Sequence, residues 1–258
     1  MFKKGKSKKN VGEAIEMPVA NVLLKGSYYD FNVFAGHFKR KWRYFDHVPY
    51  RDKDAVGMVV GGTIFGCKFT PAPINDPELE EHAKNSVLWP GAEEYVRRHN
   101  AHLSVALAQE KDAISAHSLL SKVIYSLAHQ KNVEAIHFGS GFFEPTYYVK
   151  CAETLVSRKL PTELWVNIKS PDFGNDKKVS FYTDGMHRFG KPEFEVVGMT
   201  GKNFIDVYYI IKNAVNHAIE KNILFKDGDV IGEGVDKNYL EVSDGVYVDG
   251  LSVKILRK

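Results

Sequence analysis

Cysteine is scarce in this chain: Cys67 and Cys151 are the two it has in 258 residues. That scarcity excludes a disulfide-stapled scaffold and the paired Cys-x-x-Cys of a structural zinc site. Both thiols sit in apolar surroundings, which fits buried, reduced cysteines; spacing alone leaves a single long-range disulfide open. Long apolar runs are missing too. None approaches the ~20 residues of a membrane-spanning helix, so no membrane association is expected. The basic N-terminus lacks the apolar segment that follows in a secretory signal, and a cytoplasmic location is expected. Acid is absent from residues 1–10, which hold five lysines, whereas the remainder of the chain sums to a net charge of −2. So neutral a body offers nucleic acid little beyond the leader and one loop, and a nucleic-acid partner is not expected. What is present is ordinary globular composition, 44% hydrophobic and 26% charged, at a length that needs neither disulfide nor metal to bury a core.

Residues 1–16 are lysine-rich and without periodicity, and read as a disordered basic leader. Residues 17–258 read as a single α+β domain; a sub-boundary, if there is one, falls near 158–161. Val19–Leu24 has the composition of a first strand. Residues 28–54, with aromatics and basics interleaved from His37 to Phe45, are expected to be irregular or edge structure. Val56 to Phe69 is strand-like, with Gly61-Gly62 marking a bulge or a turn. Asp76-Pro77-Glu78 is a helix start, capping acid first and proline next, for a helix to about Val87. A short helix after Pro90 follows.

The centre reads as strand–helix–strand–helix. Leu103, Val105 and Leu107 alternate as in a strand, and Ile114, Leu119, Leu120, Val123, Ile124 and Leu127 repeat at helical spacing. Val133 to Phe138 is a second strand, and the short connections allow the two strands to pair in parallel. Beyond residue 160, strands are expected at 162–169, 178–183 and 193–197. A helix then starts from Asn203, with a stripe of Phe204, Val207, Tyr208, Ile211, Ala214, Val215, Ala218 and Ile219. Asp-Gly turns at 227, 244 and 249 divide the remainder into short strands. The order is similar to half of a ferredoxin-like sandwich. The expected architecture is therefore α+β: antiparallel-rich or mixed sheets with ferredoxin-like β-β-α-β elements, covered by two main amphipathic helices near 112–130 and 203–221.

Reactive chemistry finds no intact motif. His99 and His102 fall on different elements, and His117 and His129 are too far apart on one helix to share a metal, so no metal site is expected. In Gly139-Ser140-Gly141 the serine is flanked directly by glycines, unlike the Gly-x-Ser-x-Gly elbow, and a tight strand-to-helix turn explains the string. Gly198-Met199-Thr200-Gly201-Lys202-Asn203 has two residues between its glycines where a Walker loop has four, and Asn203 suits a helix cap. Glu144, Glu163, Asp184 and Glu193 fall near turns and strand ends, where acids solvate or cap. No catalytic residue and no cofactor is expected. In the basic–aromatic stretch, Arg40, Trp42, Arg43 and Tyr44 are the candidate partner-binding residues, because Trp, Tyr and Arg dominate interface hot spots.

Several strings carry a family resemblance: Phe69-Thr70-Pro71-Ala72-Pro73-Ile74, Trp89-Pro90-Gly91-Ala92, His102-Leu103-Ser104-Val105, Leu160-Pro161-Thr162-Glu163-Leu164-Trp165-Val166 and the Phe181–Val196 block. Over roughly residues 57 to 256 the chain resembles domain-of-unknown-function family 4261. The resemblance implies a bacterial, soluble α+β protein of accessory or immunity type, and brings no catalytic residues with it. The expected function is thus a non-enzymatic, protein-binding factor, with a toxin encoded nearby as its partner. The alternative is a hydrolase using carboxylate or histidine chemistry around Ser140, Glu144 and Glu163.

Overall fold

The computed structural model describes residues 17–44, 50–108, 112–171, 178–233 and 237–257. The expected leader, and Phe45 at the end of the basic–aromatic stretch, lie outside them. The described residues form a mixed α+β structure with two sheets. The first has seven strands: β1 (Val19–Leu24), β2 (Tyr50–Arg51), β3 (Ala55–Val60), β4 (Thr63–Thr70), β5 (Ala101–Ala108), β6 (Val133–Phe138) and β7 (Gly141–Phe143). Their spatial order is β2-β3-β4-β5-β1-β6-β7. The N-terminal strand has entered the middle of the sheet, antiparallel to both β5 and β6. The two central strands therefore do not pair with each other, in parallel or otherwise. The connections would have allowed it, but β1 takes the hydrogen bonds of both. Gly61 and Gly62, at φ 58° and 89°, make the tight β3–β4 turn, whose two positive φ angles glycine adopts without strain.

The residues read as irregular contain a helix instead, α1 (Phe31–Trp42). Asp30 caps it, its carboxylate accepting from the amides of Asn32 (2.7 Å) and Val33 (3.4 Å), and Phe31, Phe34 and Phe38 form its buried face. That i, i+3, i+7 spacing is helical. The aromatic content, which favours strands, masked it. Arg43 ends the helix at φ 57°, its N–H returned to the Lys39 carbonyl.

The first sheet is covered on both faces, because β1 alternates. Val22 and Leu24 join the main core under α4 (Ala113–Leu127), while Leu23 joins Ala135, Phe142, Leu79 and Ala83 in a smaller core. That second core lies beneath α2 (Pro77–Lys84) and α3 (Glu93–Arg98). Asp76 caps α2 as its sequence predicts, accepting from the Glu78 amide at 2.9 Å.

The second sheet has six strands: β8 (Asn167–Lys169), β9 (Val179–Asp184), β10 (Glu193–Met199), β11 (Val230–Ile231), β12 (Asn238–Asp244) and β13 (Leu251–Leu256), in the order β11-β12-β13-β10-β9-β8. Its core face is packed by α7 (Phe204–Glu220), which Asn203 caps by accepting from the Asp206 amide at 2.8 Å. Among the described strands, only β10 and β13 pair in parallel. The β-β-α-β order does not produce ferredoxin-like pairing here. The strand parallel to β10 is the third after α7, and β11 and β12 lie outside it. The two amphipathic helices read from the sequence pack on different sheets, α4 on the first and α7 on the second.

Between the sheets run α5 (Pro145–Ala152), a 3-10 turn at Glu153–Ser157 and α6 (Thr162–Trp165). Residues 162–169, expected as a strand, form one helical turn over Thr162–Trp165, with strand only at Asn167–Lys169. Thr162, Leu164 and Trp165 are all buried, which strand alternation would not permit against a single core face. The turn works as a bracket. Trp165 Nε1 donates to Ser121 Oγ of α4 at 2.9 Å, and the Thr162 hydroxyl bonds Asn216 of α7. One hydrophobic cluster holds buried residues from both sheets.

Candidate functional site

The structure places a cleft of about 440 Å³ where the two sheets meet. Each wall is positioned by an element already described. From β1 come Val19 and Asn21, from α2 His82, from the end of β6 His137, and from the end of β9 Asp184. The turn joining β6 to β7 supplies Gly139 and Ser140, so Ser140 sits in a hairpin turn and not in the strand-to-helix turn read from the sequence. Arg188 enters from a 3-10 turn at Met186–Phe189.

That turn is built by Glu193. Its carboxylate accepts from the Thr183 hydroxyl (2.6 Å), from the amides of Gly185 and His187 (3.1 Å each) and bonds His187 Nδ1 (2.9 Å). Two glycines then make room for the guanidinium. A Cβ at Gly139 would stand 2.9 Å from Arg188 Nη1, and one at Gly185, 3.1 Å. Gly185 has φ 131°, a conformation that other residues rarely adopt. Among the described residues the Arg188 guanidinium, half-buried, makes no hydrogen bond and no ion pair.

Ser140 is 7% exposed, and its Oγ is buried without a hydrogen-bond partner among the described residues. Its carbonyl is held by Asn167 Nδ2 at 3.1 Å. The hydroxyl is near enough to the Asp184 carboxylate to favour its ionised form, yet outside hydrogen-bonding geometry. Burial works to raise the Asp184 pKa, but the hydrogen bond and charge of Lys169, with the charge of Arg188, outweigh it and hold the group below the usual carboxylate range. Lys169 Nζ lies 2.6 Å from Asp184 Oδ2.

The two imidazoles form a pair of their own, His82 Nδ1 lying 3.0 Å from His137 Nε2. One nitrogen donates and the other must be a bare acceptor, so the contact requires at least one neutral ring. Burial pushes His137 down to about 4, assisted by His82, and burial with the charge of Lys169 lowers His82. Burial thus disfavours the charged form of both rings. Asp184 and Arg188 line the cleft, with Lys169 paired to Asp184 from behind, and among the described residues Arg188 makes no ion pair.

The hydrolase constellation does not assemble. Glu144 caps α5, accepting from the Tyr147 amide at 2.7 Å, and Glu163 faces Lys212 at 3.6 Å. Of the four acids singled out from sequence, Asp184 alone lines this cleft, and Glu193 supports it from behind. His99 accepts the Ile74 amide at 2.8 Å, His102 bonds the Ala72 carbonyl at 2.8 Å, and His117 and His129 each bond the carbonyl four residues earlier at 2.7 Å. These are structural uses. Among the described residues no group of three or more metal-ligating side chains is gathered.

The candidate partner-binding residues divide. Trp42 packs edge-on against Tyr125 at 5.2 Å, and Tyr44 stacks on Phe38 at 5.6 Å while its hydroxyl accepts from Lys122 at 3.1 Å. Arg40 and Arg43 are exposed. Cys67 and Cys151 are free and buried, so no disulfide joins them. His82, Lys169 and Arg188 were not singled out from the sequence. The two imidazoles are 55 positions apart, and no local pattern joins them.

No curated protein and no solved structure matches the chain. One family model does, that of DUF4261, a domain of unknown function, over residues 182–256. The strings at 69–74, 89–92, 102–105 and 160–166 lie outside that span. The matched segment contains Asp184, Arg188, Glu193 and the whole of β10–β13, and it is over these residues that the chain is similar to the DUF4261 family.

Proposed function

We propose that this protein is a non-enzymatic binding protein whose ligand presents an anionic group to the cleft at Arg188. One observation carries the reading: a guanidinium fitted between two glycines has no acceptor among the described residues, beside a serine hydroxyl that is buried and has no hydrogen-bond partner among them. Donors held in place without acceptors complement an incoming anion, and desolvation by the cleft walls strengthens the attraction. Binding is favoured over turnover because nothing activates Ser140. His137 Nε2, the candidate base on its own hairpin, is engaged with His82, and a serine nucleophile needs a general base within hydrogen-bond reach, which Ser140 Oγ lacks among the described residues. The anion can belong to a partner protein, as for an immunity-type factor, or to a free organic acid. Free buried thiols at positions 67 and 151 suit a reducing bacterial cytoplasm.

The test is a thermal-shift panel of organic anions at constant ionic strength, on wild type and Arg188→Met. At least one anion should raise the melting temperature of wild type and leave Arg188→Met unmoved. If none does, or if both proteins respond alike, the reading fails. Turnover of an ester or phosphoester abolished by Ser140→Ala would support the hydrolase instead.

A further inference from the structure

Resting on that reading, we infer that the group this cleft accepts is a monoanionic carboxylate and not a phosphate dianion. Charge decides first. Lys169 is committed to Asp184 at 2.6 Å, and the His82–His137 contact leaves an unprotonated nitrogen in the pair. A dianion would meet one uncommitted cation, Arg188, with the Asp184 carboxylate in the same wall. A monoanion is balanced by Arg188 alone. Geometry points the same way. A planar guanidinium matches a planar carboxylate with two parallel N–H···O bonds, and the Ser140 hydroxyl is the additional donor in reach of the same space. Phosphate sites use more, either several cations or a run of backbone amides at a helix start, and this cleft has neither among its described residues. Met17, Pro18 and Val19 offer an apolar wall to the organic body behind the acid.

The full chain is titrated at pH 7.5 and constant ionic strength while the Nε–Hε resonance of Arg188 is followed by NMR, assigned by its loss in Arg188→Lys. Three probes are compared: benzoate, phenyl phosphate, which keeps the ring and changes the head group, and N-acetyl-dialanine with a free C-terminus. Benzoate or the dipeptide acid should move the resonance at roughly fivefold lower concentration than phenyl phosphate, and Ser140→Ala should weaken that binding roughly 2–10-fold. Stronger binding of the dipeptide assigns the carboxylate to a peptide terminus, and stronger binding of benzoate to a free acid; either supports the carboxylate. Phenyl phosphate binding as well as or better than the acids overturns the carboxylate assignment and leaves the anion reading standing. If no probe moves Arg188, the anion reading itself is overturned.

Discussion

Glu193→Ala should lower both stability and anion affinity, because one carboxylate holds the turn that carries Arg188. The alanine leaves the Gly185 amide, on a buried residue, without its acceptor, and leaves the buried Thr183 hydroxyl only the Phe194 carbonyl at 3.5 Å. A buried donor left unmade costs about 1–3 kcal/mol. The His187 amide and ring belong to an exposed residue and can turn to water, so they add little. The total is about 2–5 kcal/mol, and for a chain of this size that corresponds to a melting temperature roughly 5–15 °C lower. Glu193→Gln separates charge from shape, since its Oε1 can still accept both amides; it should lose about half as much. With the turn loosened, Arg188 is no longer held between Gly139 and Gly185, and benzoate affinity should fall by at least about fivefold, roughly 1 kcal/mol. Circular-dichroism melts and the Arg188 Hε titration read the two effects separately. A Glu193→Ala protein that melts within about 2 °C of wild type and binds benzoate equally would refute this account of the turn.

Three further outcomes follow from the same structure. Glu195 is fully buried and accepts from the amides of Val246, Tyr247 and Val248 and from the Ser252 hydroxyl, so Glu195→Ala should cost about 3–5 kcal/mol in urea unfolding and open the 245–250 loop to proteolysis. Arg43 and Asn222 sit at positive φ, 57° and 51°, and Arg43→Gly should raise stability by up to about 1 kcal/mol in the same assay, leaving the packing of Trp42 unchanged. His117 and His137 are held near 4 by burial, below the unfolded value of 6.5. Unfolded chains therefore bind protons that the folded protein does not, and stability present above pH 6.5 drains away as pH falls toward 4. Each should contribute about 2 kcal/mol of loss between pH 7.5 and 5, and His117→Leu should remove its share of that slope in denaturation measured at both pH values.

Local chemistry made much of the fold legible. The caps at Asp76 and Asn203, the Gly61-Gly62 turn and the apolar stripes of α4 and α7 each follow from neighbouring residues, and the structure has them. Two misreadings share a cause. In α1 and α6 the aromatics Phe31, Phe34, Phe38 and Trp165 carry strand propensity, and tertiary burial overrode it. The insertion of β1 between β5 and β6 is a long-range choice that no window of sequence shows. The cleft was hidden for the same reason. Ser140 and Asp184 were visible as candidates, but His82, His137, Lys169 and Arg188 converge only once two sheets meet. Gly139 and Gly185 look like ordinary turn glycines until the guanidinium between them is seen. The one local clue was Glu193, an acid placed a few residues after the Gly185–Arg188 turn it holds.

The central claim is that Arg188 and Ser140 are built to receive an anion, and a crystal of the full chain soaked in 4-bromobenzoate tests it most directly, since the bromine marks the ligand by anomalous scattering. The account predicts one strong peak in the inter-sheet cleft, with the carboxylate on the Arg188 guanidinium and within hydrogen-bond distance of Ser140 Oγ. Bromine found only at other sites, with Arg188 turned to water or to a protein carboxylate, would contradict it.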